Sequence, residues 1–138
     1  YLCEKMTEVL EKADAAVTMN VKEQLSYLHV EKKNLFDAEI AMYLLNPLKD
    51  TYAYEDIAKE CLDLLVPSVQ ELLGKEDFGS EDEKGVKNAA CYGTYTCLEG
   101  KAKLEEKLKQ QDAKTLKKWL RLAVMADNIG QFENAISE

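Results

Sequence analysis

One β-prone run, Ala15-Ala16-Val17-Thr18-Met19, interrupts a chain whose apolar residues otherwise recur at helical spacing. This constrains the fold more than any other feature. A lone strand cannot satisfy its backbone N–H and C=O groups. Either neighbouring strands are supplied by residues outside the chain, or residues 15–19 are not a strand. The run ends at Asn20, a good helix N-cap, and the following residues Val21–Leu28 carry a helical pattern.

The other segments predict helices. Leu2, Met6, Val9 and Leu10 place one across Tyr1–Ala15. Asp37 is positioned to cap Ala38–Leu45, with Ile40, Ala41, Leu44 and Leu45 on its apolar face, and Asn46-Pro47 stops it. A loop through Tyr52-Ala53-Tyr54 leads to Glu55–Leu65, where Ile57, Cys61, Leu64 and Leu65 share a face. Val66-Pro67-Ser68 breaks the pattern, and Val69–Leu73 is a short helix closed by Gly74. Lys75–Gly85 reads as a mobile polar loop. A long helix is predicted from Lys84 to Gln111, interrupted at Gly93 and Gly100. Thr115–Ala126 is amphipathic around Leu116, Trp119, Leu120 and Val124, and Asn128–Ser137 is a weaker final helix. The fold class is therefore mostly α: a compact array of about six helices with one residual strand near 15–19. No heptad persists, so a coiled coil is not expected.

Charge narrows the function. Asp and Glu outnumber Lys and Arg by 26 to 18, a formal net charge of −8. This argues against a stand-alone duplex-binding module or a polybasic membrane patch, both of which need surplus cations. No apolar run reaches the roughly 20 residues of a membrane span, and Tyr1–Glu11 is too charged for a signal peptide. Cys3, Cys61, Cys91 and Cys97 form no Cys-x-x-Cys pair, and with His29 as the one histidine no zinc site is expected. They read as reduced, mostly buried thiols of a cytosolic protein.

Leu35–Leu62, reading LFDAEIAMYLLNPLKDTYAYEDIAKECL, carries a more specific signal. Phe36-Asp37, then Tyr43-Leu44-Leu45-Asn46-Pro47, a Tyr-containing loop and Glu55-Asp56-Ile57-Ala58 follow one another. This order resembles the helical half of the 3′–5′ exonuclease domain of bacterial family A DNA polymerases, the DNA polymerase I family. The similarity runs upstream through Ala16–Val30 and downstream through Leu65–Gly74 and Lys84–Leu98, about two thirds of the chain. It implies a partial ribonuclease H-like domain over residues 1–110. Residues 111–138 are divergent C-terminal helices of the same domain. The leading strands of that family, with their metal-binding Asp-x-Glu, would lie before Tyr1. The chain thus reads as a fragment whose partner is the rest of a polymerase.

The family's metal chemistry needs hard carboxylate oxygens converging from separate elements. In its Asn-x-Lys-x-Asp motif the ligand position falls on Gln24, and an amide brings no negative charge. In its Tyr-x-x-x-Asp motif, Asn88 stands at the Tyr and Tyr92 at the Asp. The resemblance therefore implies a degenerate exonuclease, with no catalytic residue, metal or cofactor expected. Its role would be non-catalytic scaffolding in a cytoplasmic bacterial enzyme of DNA replication and repair. DNA would be met only through the parent protein, and a dimer could form through surface left by the missing strands. The alternatives are a free-standing helical interaction module of the same ancestry, or a working nuclease with acids recruited from elsewhere.

Several residues invite functional readings that local structure explains better. Asp37-Ala38-Glu39 has Asp-x-Glu spacing, but it opens a helix, where i and i+2 do not share a face. Glu55-Asp56 fits a helix start, where acids complement the dipole. Tyr43, Tyr52 and Tyr54 read as loop packing, Trp119 as core or contact surface, and Lys101–Lys118 as a mixed-charge solvated face.

Overall fold

Two parallel strands, β1 (Ala16–Thr18) and β2 (Leu35–Asp37), sit beside a set of helices. The computed structural model describes residues 1–24, 26–27, 35–75, 78–79, 81–115 and 117–118. Among these, the helices are α1 (Leu2–Lys12), α2 (Val21–Gln24), α3 (Ala38–Leu45), α4 (Tyr54–Leu62), α5 (Val69–Leu73) and α6 (Glu83–Lys109). Residues 113–115 and 117–118 are helical as well. The chain is mostly α, as its periodicity predicts. The expected final helix 128–137 lies outside the described residues, as do His29 and Trp119.

The expectation of a lone strand is corrected. β1 pairs within the chain, with Ala16 opposite Leu35, Val17 opposite Phe36 and Thr18 opposite Asp37. The connection through residues 19–34 carries α2, as a crossover between parallel strands requires. β2 escapes the sequence reading because three residues are too few for a period-2 pattern, and its Asp also signals a helix start. The predicted strand 15–19 is trimmed to 16–18 and the helix 21–28 to Val21–Gln24 among the described residues.

α6 organises the rest: α3, α4, α5 and β1 all pack on it. The core joins Ala38, Ala41 and Met42 of α3, Ile57 of α4, and Cys97 and Leu104 of α6. Val17, Met19 and Phe36 close it from the sheet side. Full burial of a side chain such as Ile57 contributes about 1.5–3 kcal/mol.

Four further expectations change. The buried face of α3 is Ala38, Ala41 and Met42, rotated from the predicted Ile40 and Leu44. α4 stops at Leu62 because Asp63 turns left-handed, at φ 53°, so Leu65 is 91% exposed rather than core. Gly93 and Gly100 do not interrupt α6. A Cβ at Gly100 would overlap Ile57 Cγ2, so the missing side chain is what lets α4 approach. Finally, only Cys97 of the four cysteines is buried; Cys61 is half-buried, and Cys3 and Cys91 are exposed.

The helix ends follow sequence signals. Ser68 and Glu71 form a reciprocal capping box at α5, with Glu71 N–H donating to Ser68 Oγ at 3.2 Å and Ser68 N–H to Glu71 Oε2 at 2.7 Å. Asp82 Oδ1 accepts from Gly85 N–H at 3.0 Å to cap α6. Gly74, at φ 66°, closes α5 in a conformation that favours glycine.

Candidate functional site

Gln24 ends α2. Asn20 begins the turn before it with a positive φ of 52° and accepts from Glu23 N–H through Oδ1 at 3.4 Å. The Gln24 amide is spent on β1. Its Oε1 accepts from Thr18 Oγ1 at 2.6 Å, and its Nε2 donates to Met19 O at 2.7 Å. An amide suits this place because it must accept and donate at once, which a carboxylate cannot do.

Asn88 and Tyr92 lie one turn apart on α6, and both are exposed. Tyr92 stands close enough to Tyr54 of α4 to act on its phenol. Burial, with smaller contributions from Glu55, Tyr92 and Glu71, pushes that phenol up to about 12. The Tyr54 hydroxyl donates to Pro67 O at 2.5 Å. The structure thus groups Asn88 with Tyr92 on one helix and holds Gln24 on β1.

The acids nearest to this region serve the backbone. Asp37 ends β2 and also caps α3, its Oδ1 accepting from Ile40 N–H at 3.0 Å. Its Oδ2 accepts from Val21 N–H, the first residue of α2, at 2.7 Å. One carboxylate therefore caps two helices. The cap on α3 is legible in the sequence; the bond to Val21 depends on the β1–β2 pairing and is not. Glu39, in the first turn of α3, is held above the usual carboxylate range, mainly by burial and then by the charges of Asp37 and Glu23. Among the described residues, no group of three or more His, Cys, Asp or Glu is arranged to hold a metal ion.

The aromatic and basic residues are likewise engaged. Tyr43 and Tyr52 meet edge to face at 5.8 Å, and the Tyr52 hydroxyl donates to Asn46 O at 2.7 Å. Asp56 accepts from Ala53 N–H at 3.0 Å at the start of α4, and Lys49 reaches Asp56 and Glu60. Within the lysine run, Lys101 pairs with Glu105 at 2.8 Å and lies over the Phe36 ring, while Lys107 donates to Glu60 O at 2.9 Å. These contacts stitch α6 to β2 and α4. No family model, curated protein or solved structure matches this chain.

Proposed function

We propose that this chain is the helical part of a degenerate 3′–5′ exonuclease-like domain of a family A DNA polymerase, serving as a scaffold within that enzyme. The observation that carries the reading is the state of Gln24. At the position where the resemblance requires a metal-binding carboxylate, an amide ties Thr18 and Met19 to α2. Tyr92, at the second acidic position, offers a phenol in place of a carboxylate. A two-metal mechanism needs several hard anionic ligands, and these two positions supply none.

The parallel strand–helix–strand unit supports the ribonuclease H-like part of the reading. The exposed apolar residues Leu2, Met6 and Val9 of α1, which contributes no buried residue, support a partner surface within a larger polymerase. In this reading DNA is met through the parent enzyme, in the bacterial cytoplasm. Among the described residues, no helix is long and apolar enough to cross a membrane.

The test uses the full-length gene product that contains this chain. End-labelled single-stranded DNA is incubated with it in Mg²⁺ and in Mn²⁺, beside an active homologue. The expected result is templated synthesis without trimming. Chelator-sensitive trimming that survives mutation of the polymerase site would overturn the scaffold reading. Absence of any templated synthesis, with a reading frame that encodes no polymerase palm, would leave the interaction-module alternative.

A further inference from the structure

We draw no further inference here: the strongest candidate, the exposed apolar patch that Leu2, Met6 and Val9 form along α1, belongs to the partner surface already described, and nothing in the structure shows what covers it.

Discussion

Asp37 Oδ2 accepts the Val21 amide N–H at 2.7 Å, tying the end of β2 to the start of α2. The same carboxylate holds the Ile40 amide at the start of α3 through its other oxygen. Two amide groups that have no helical partner are thereby satisfied by one side chain. Asp37→Ala should destabilise the chain by about 1–3 kcal/mol, since it removes a cap from each helix. Asp37→Asn keeps one acceptor oxygen and should cost less. Urea denaturation followed by circular dichroism checks the order; equal stability of the three proteins would contradict the double cap.

The Gly100–Ile57 contact offers a sharper case, because two effects oppose each other. Alanine in a helix interior gains up to about 1 kcal/mol over glycine. Here the added methyl would overlap Ile57 Cγ2 in the core. Overpacking of this kind costs about 1–3 kcal/mol, so Gly100→Ala should be destabilising despite its better propensity. Gly100→Ala combined with Ile57→Leu should recover part of the loss, because leucine lacks the β-branch methyl, Cγ2, that clashes. A stabilised Gly100→Ala, measured by thermal melting, would mean that α4 moves away at little cost.

Gln24 separates a structural amide from a vacant ligand position. Gln24→Glu has nearly the same shape but cannot donate to Met19 O, and it places a negative charge against that carbonyl. It should lower stability by about 0.5–1.5 kcal/mol at neutral pH, the usual net worth of one such bond. Adding Mg²⁺ should not restore the loss. Recovery at millimolar Mg²⁺ would instead show that a carboxylate here finds further ligands.

These residues show where the fold was legible. The long apolar periodicities gave α1, α3 and α6, and the caps at Ser68, Asp37 and Gly74 marked helix ends, because such signals are local. β2 was hidden, since Leu35–Asp37 becomes a strand only through pairing with Ala16–Thr18. Gly100 reads as a weak point for the same reason: its use as a contact for Ile57 comes from α4, 43 residues earlier in the sequence. Leu64 and Leu65 continue the apolar spacing of a core face that ends before them, because the left-handed turn at Asp63 carries no glycine to announce it. Of the candidate site, the identities of Gln24, Asn88 and Tyr92 were readable, but not that Gln24 is bound to Thr18.

The cysteines should divide by exposure. Cys3 and Cys91 are open to solvent and should react with a maleimide in the native state. Burial, with a smaller contribution from Asp37, pushes the Cys97 thiol up to about 11. Little thiolate then exists at neutral pH, and the thiolate is the nucleophile. Cys61 is half-buried and also raised, chiefly by burial. Mass spectrometry should find two fast sites, with Cys97 labelled only after denaturant is added. Fast native labelling of Cys97 would place it outside the core.

Glu39 should make stability depend on pH with a sign opposite to that of a salt-bridged acid. Its folded carboxyl is raised, first by burial and then by Asp37 and Glu23. The folded state therefore binds its proton more tightly than the unfolded state, for which 4.5 is the reference value. Its unfavourable contribution is absent below that value and develops as pH rises through the folded pKa. Glu39→Gln removes the charge while keeping the shape, so it should raise the melting temperature at pH 7. The gain should shrink on acidification and disappear by about pH 4, where the native residue is itself mostly protonated. Melting curves of the two proteins across this range make the comparison, and a gain independent of pH would assign the effect to something other than the Glu39 charge.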